Sequence, residues 1–147
     1  MNYNYFMSEA LKLAKISFDE NEVPVGAVIV KNNKIIGKGR NRREQLKNAL
    51  SHAEIEAIND ACENLRSWRL DGCDMYVTLE PCPMCAGAII NARINKVIYG
   101  AKDESMGAVR SNISMFDLDF NFRPKVVSSV LEEECSRILS DFFKSLR

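Results

Sequence analysis

Residues 23–30 read Val-Pro-Val-Gly-Ala-Val-Ile-Val, a nearly continuous apolar run rich in β-branched side chains. A run without polar alternation suits a strand buried on both faces, and such a strand needs a covering layer above and below its sheet. The rest of the chain can supply both layers. Ahead of the run, residues 5–19 place Phe6, Ala10, Leu11, Leu13, Ala14 and Phe18 near helical spacing. After it, Asn32-Asn33 marks a turn into a partner strand over 34–39. A polar stretch over 40–50 leads to a helix from His52 to about Leu65, with Ile55, Ile58, Ala61, Cys62 and Leu65 as its apolar stripe. Then come a strand at 74–79, a short helix at 83–92, a strand at 96–100 and a polar loop over 103–123 with a short helix. Residues 125–130 hold a last strand. Residues 131–146 form a closing helix with Cys135, Ile138, Leu139, Phe142 and Phe143 on its inner side. The pattern predicts an α/β fold: a three-layer α/β/α sandwich around a mixed five-stranded sheet, opened by an antiparallel hairpin and otherwise largely parallel. No repeat or Pro/Gly/Ser-rich linker interrupts the 147 residues, so 1–147 is expected to be a single domain.

Charge and cysteine usage narrow the function classes. Lys plus Arg and Asp plus Glu both count 20, which argues against coating nucleic acid by bulk electrostatics. DNA is not an expected partner, whereas a local basic patch for a small structured RNA remains open. No apolar run approaches the roughly 20 residues needed to cross a bilayer. The start of the chain, residues 1–6, lacks the basic and apolar stretches of a signal peptide. The expectation is a cytoplasmic protein without a membrane partner. The five cysteines are odd in number, and only Cys82 and Cys85 are closely spaced, which suits a metal or redox site better than a disulfide framework.

The chemistry concentrates in His52-Ala53-Glu54 and Pro81-Cys82-Pro83-Met84-Cys85, an H-x-E followed by P-C-x-x-C. Zinc favours imidazole and thiolate ligands, and catalytic zinc sites usually carry three protein ligands and a water. His52, Cys82 and Cys85 supply three. Pro83 suits a first helical position with Cys82 as the cap, so both sulfurs would sit at a positive helix terminus that favours thiolates. His52 likewise opens its helix. Both helices follow strand ends on one sheet edge, so their N-termini can converge on one Zn²⁺. Glu54 is the natural proton carrier, taking a proton from an activated water and returning it to the substrate. Taken singly, each part has a blander reading. Ser51-x-x-Glu54 also matches a capping box, and a lone C-x-x-C also matches a redox pair. The joint occurrence favours the catalytic metal. A structural zinc would need a fourth ligand, with Cys62, Cys73 and Cys135 as candidates, although Cys62 and Cys135 belong to apolar stripes.

At these residues the sequence resembles the bacterial tRNA adenosine deaminases of the cytidine-deaminase-like superfamily. Residues 22–28, Asn41-Arg42, 52–55, 79–87, 99–103 and 141–143 carry the resemblance. It implies a cytidine-deaminase-like fold, and deamination of adenosine to inosine at the wobble position of a tRNA anticodon, usually that of an arginine tRNA. It also implies one Zn²⁺ per subunit and a homodimer that grips the anticodon stem-loop. Residue by residue, it implies that Asn41 bonds the flipped nucleotide and Asp103 contacts the ribose or backbone beside it. Glu22, Val25 and Ala53 would wall the pocket. Two segments depart from the pattern. Lys47-Asn-Ala-Leu-Ser51 stands where the family usually has Asp-Pro-Thr-Ala, and Phe122 stands where it commonly has histidine. Phe122 is a candidate for stacking on a base.

Arg42, Arg43, Arg110, Arg123 and Lys144 are candidate phosphate contacts, with Arg40, Lys125 and Arg147 nearby in the pattern. An unpaired anticodon loop lowers the cost of flipping a base into such a pocket. The competing reading is a deaminase of a free nucleobase or nucleoside of the guanine or cytosine type, which shares the metal motif. A non-enzymatic zinc module is a third class, and it predicts that Glu54 is dispensable.

Overall fold

The structure, a computed structural model, describes residues 2–146. Its elements run α1 (Tyr3–Asp19), β1 (Gly26–Lys31), β2 (Lys34–Arg40), α2 (Arg43–Leu46), α3 (Ala53–Leu65), β3 (Asp74–Leu79), α4 (Pro83–Ala92), β4 (Lys96–Ala101), a 3₁₀ turn (Met115–Asp117), β5 (Lys125–Val127) and α5 (Glu132–Ser145). The five strands form one sheet in the order β2-β1-β3-β4-β5. β1 is antiparallel to both neighbours, pairing Gly26 with Arg40 and Ala27 with Val77. β3, β4 and β5 run parallel, with Asp74 beside Lys96 and Lys96 beside Lys125.

Strand side chains alternate between two buried layers, as the apolar run in β1 requires. Ala27, Ile29, Met75, Val77, Val97 and Tyr99 face the layer that holds α3 and α4. Val28, Val30, Tyr76 and Ile98 face Phe6, Met7 and Ala10 of α1 and Cys135 of α5. Helices therefore cover both faces of a mixed five-stranded sheet, the predicted α/β/α sandwich. Among the described residues, no helix is long and apolar enough to cross a membrane.

Sequence and structure differ where packing overrides periodicity. The buried seam of α3 is Ala53, Glu54, Ala57 and Ala61, while Ile55, Ile58, Cys62 and Leu65 are only partly buried. Small residues win because α3 lies almost on β2. A Cβ built on Gly39 would sit 2.1 Å from the Ala53 carbonyl oxygen and 2.5 Å from the Ala57 nitrogen. In α1, Met7 and Ser17 are buried while Leu11, Leu13 and Phe18 are half-buried. Phe143 is 47% exposed, because Phe142 takes the inward position of α5 and meets Phe18 edge-on at 5.7 Å. β5 stops at Val127, before the positive-φ residues Ser129 and Leu131 turn the chain out of the sheet.

Candidate active site

β2 and β3 are both antiparallel to β1, so they point the same way, and the helices after them start at one sheet edge. His52 is the N-cap of α3, with φ −75° and ψ 153°. Cys82 is the N-cap of α4, with Pro83 in the first turn. Neither cap side chain bonds its own helix, so the imidazole and the thiol remain available to other partners. The cap is His52 and not Ser51, so the Ser51–Glu54 capping box does not form.

The donor atoms meet. His52 Nδ1 lies 3.6 Å from Cys82 Sγ and 3.5 Å from Cys85 Sγ. All three ligand atoms fall within 4.8 Å of one another. A tetrahedral ion with metal–sulfur bonds of about 2.3 Å and metal–nitrogen bonds of about 2.0–2.1 Å sets sulfur and nitrogen about 3.6 Å apart. The donor set and its spacing therefore fit one divalent ion. Among the described residues the group comprises these three side chains, and Cys62, Cys73 and Cys135 are free cysteines outside it. This differs from a closed four-ligand structural site.

The three donors share protons among themselves, which a metal ion would displace on binding. A hydrogen bond from the Cys85 thiol, opposed by burial and reinforced by His52, pulls Cys82 down to about 4. Cys85 moves up, because its thiol donates a hydrogen bond to Cys82 and is buried. The bond to Cys82 raises His52 above its ordinary value, against desolvation. Burial pushes Glu54, only 4% exposed, up to about 7. A carboxyl poised there can accept and release protons at neutral pH.

These groups open into a cavity of about 210 Å³. At about 30 Å³ per liquid water, it holds the volume of roughly seven waters. It is lined by His52, Ala53, Glu54 and Cys82, by Val23, Val25, Asn41 and Arg43, and by Leu79, Glu80, Asp103 and Met106. Asn41 is fixed by its side-chain amide donating to the Val23 carbonyl at 3.1 Å. Asp103 Oδ1 accepts the backbone N–H groups of Ser105 and Met106, both at 3.1 Å, and the Ser105 hydroxyl at 2.8 Å.

The sequence-predicted residues thus divide. His52, Ala53, Glu54, Cys82, Val25, Asn41, Asp103 and Arg43 line the cavity, and Cys85 completes the donor set. Glu22 does not line it. Glu22 is 1% exposed, and its carboxylate accepts the N–H groups of Glu44 and Gln45 at 3.1 and 2.8 Å, anchoring α2 behind the wall. Phe122 lies away from the cavity, half-buried under the Arg93 guanidinium. Arg42 is bound to Glu56 at 2.9 Å and Arg123 to Asp119 at 3.6 Å. Arg110 reaches Ser128 at 3.5 Å, and Lys144 is exposed in the last turn of α5. Arg147 is outside the described residues. Sequence reasoning missed Val23, Leu79, Glu80 and Met106 as lining residues. The first three adjoin strands that end at the site, and that adjacency is the signal that could have found them. Met106 carries none.

Similarity to known proteins agrees with this geometry. The model of the MafB19-like deaminase family matches residues 1–147. The chain is 47% identical over 143 residues to the tRNA-specific adenosine deaminase of Bacillus subtilis (strain 168), covering 97% of this chain and 89% of that protein. A structure solved in studies of A-to-I editing by tRNA:A34 deaminases at the wobble position superposes with a TM-score of 0.89 at 44% identity, covering 92% of this chain and 99% of that one. Guanine deaminase from Bacillus subtilis matches at a TM-score of 0.66 and 32% identity, covering 82% of this chain and 88% of its own. The chain belongs to the MafB19-like deaminase family and, within it, to the tRNA-specific adenosine deaminases.

Proposed function

We propose that this protein hydrolyses adenosine to inosine at the wobble position of a tRNA anticodon, with one zinc ion held by His52 Nδ1, Cys82 Sγ and Cys85 Sγ. The observation that carries the reading is the convergence of three metal donors and one buried carboxyl on a single cavity. Zinc in such a site supplies a water acidified towards neutral pH. With the ion in place, Glu54 would take a proton from that water and pass it to the adenine ring nitrogen as the water oxygen bonds to C6. It would then take the second proton from the new C6 hydroxyl and deliver it to the exocyclic amine. The C6–N bond breaks, ammonia leaves, and the C6 carbonyl of inosine remains. Glu54 can do this because its displaced titration range lets it act as base and acid in one turnover. Asn41 and Asp103 hold the nucleotide beside Val25 and Ala53, and Arg43 at the rim is placed for a phosphate.

The family likeness supports a homodimer, with the whole of residues 1–147 acting as one deaminase domain. Five free cysteines support a reducing, cytoplasmic location. Residues such as Arg42 and Arg123 serve RNA only by exchanging a carboxylate for a phosphate. Glu22 supports the wall indirectly, through α2.

The deciding assay incubates purified protein with an anticodon stem-loop bearing wobble adenosine and, separately, with free adenosine, guanine and cytosine. Inosine in the stem-loop is the expected product. Turnover of the free bases or nucleoside alone would establish the competing free-base reading instead.

A further inference from the structure

Glu80 stands two residues before Cys82, is 2% exposed, and has no hydrogen bond to the metal donors. Its carboxylate gathers one loop instead. Oε1 accepts the Asp103 N–H at 3.1 Å and the Ser111 hydroxyl. Oε2 accepts the N–H groups of Val109 at 3.2 Å, Arg110 at 2.8 Å and Ser111 at 2.9 Å. The buried charge is met by these donors with no ion-pair partner among the described residues. The loop wraps closely: a Cβ on Gly107 would fall 2.5 Å from Glu80 Cδ, and Ala108 N–H donates to the Pro81 carbonyl at 2.8 Å. The same loop carries Asp103 and Met106, which line the cavity.

We infer that Glu80 is a positioning residue for this deaminase, fixing the 103–111 loop so that Asp103 and Met106 stand at the depth the substrate nucleotide requires. The inference rests on the proposed nucleotide chemistry. Both Glu80 oxygens are taken up by the 103–111 loop, with no hydrogen bond to His52, Glu54, Cys82 or Cys85, so its effect falls on substrate binding and leaves the proton chemistry of Glu54 intact. In Glu80→Gln the amide oxygen can keep the three N–H donors on the Oε2 side, but the NH₂ then faces the Asp103 N–H, donor against donor, and the Ser111 hydroxyl must turn to accept. Ala108 and Val109 stay buried, so the loop keeps apolar anchors.

The test measures kcat and KM on the anticodon stem-loop, together with bound metal, for wild type, Glu80→Gln, Asp103→Asn and the double variant. Glu80→Gln is expected to keep its metal and its kcat within about threefold, while KM rises about tenfold or more. If Glu80 acts through Asp103, its effect shrinks in the Asp103→Asn background. Ser111→Ala, which removes one donor and keeps the charge, gives a smaller rise in KM in the same direction and serves if Glu80→Gln fails to fold. An unchanged KM in the folded variants, or fully additive effects in the cycle, overturns the inference. Wild-type turnover of free nucleoside alone would instead strike the substrate reading, and the same KM comparison is then made on that nucleoside.

Discussion

Glu54 and Glu80 are both buried carboxylates in one cavity, and their surroundings send them in opposite directions. Burial dominates for Glu54 and lifts it to about 7. Removing its titration is expected to leave metal binding intact, so Glu54→Gln should retain its ion by elemental analysis while kcat falls by at least about 10²–10⁴-fold. For Glu80, burial is the largest influence, but the Ser111 hydroxyl and the backbone N–H groups together outweigh it and hold the group below its usual value of 4.5. A carboxyl depressed in the folded state contributes stability that is full above the unfolded value and is lost as pH falls through the folded one. The stability gap between wild type and Glu80→Gln should therefore be constant from pH 6 to 7 and close below about 4.5, as followed by urea midpoints. The two roles were unequally legible. Glu54 could be read because its spacing from His52 and the cysteine pair is local chemistry written in order. Glu80 acts through residues 23–31 positions further on, and nothing in the linear pattern joins them.

Elements were legible where a local rule sets them. α4 begins at Pro83 as its cap and proline dictate, and β3 spans the 74–79 run read as a strand. The seam of α3 was not legible, because Ala53, Ala57 and Ala61 are chosen by how close β2 comes, which periodicity does not express. That closeness has a measurable consequence. Gly39→Ala pushes a methyl group into the backbone of α3, which must back away and take His52 with it. We expect a stability loss of about 1–3 kcal/mol by chemical denaturation. Weaker metal retention against a chelator should accompany it, since both effects come from one displacement. Unchanged metal retention in a destabilised variant would show that α3 moves without its cap.

Over the whole molecule, the candidate phosphate contacts divide by pairing. Arg42 is held by Glu56 and Arg123 by Asp119, whereas Arg43, Arg110 and Lys144 have no ion pair among the described residues, and of these Arg43 lines the cavity. RNA binding should accordingly show the salt dependence of a few phosphate contacts. Arg43→Ala should reduce the slope of log KM against log salt by about 0.7, the share of one phosphate on a single strand, while Arg123→Ala changes it little. Stripping the metal should lower the melting temperature as well as abolish turnover, with added zinc restoring both, because an ion bound only by the folded chain stabilises it by mass action.

β1 lies between the strand that leads to His52 and the strand that leads to Cys82, so those two strands never touch. Slippage of β2 by two residues against β1 would set Ile35 or Asn41 where Gly37 or Gly39 meets α3, but it would keep every side chain on its proper face, and alternation alone would accept it. The ion would not. Such a slip carries the histidine end about 6.8 Å along the sheet, well beyond the reach of a tetrahedral centre. Metal capture therefore adds to the close fit of α3 on β2 a second constraint on strand alignment, one that the alternation of buried faces does not supply.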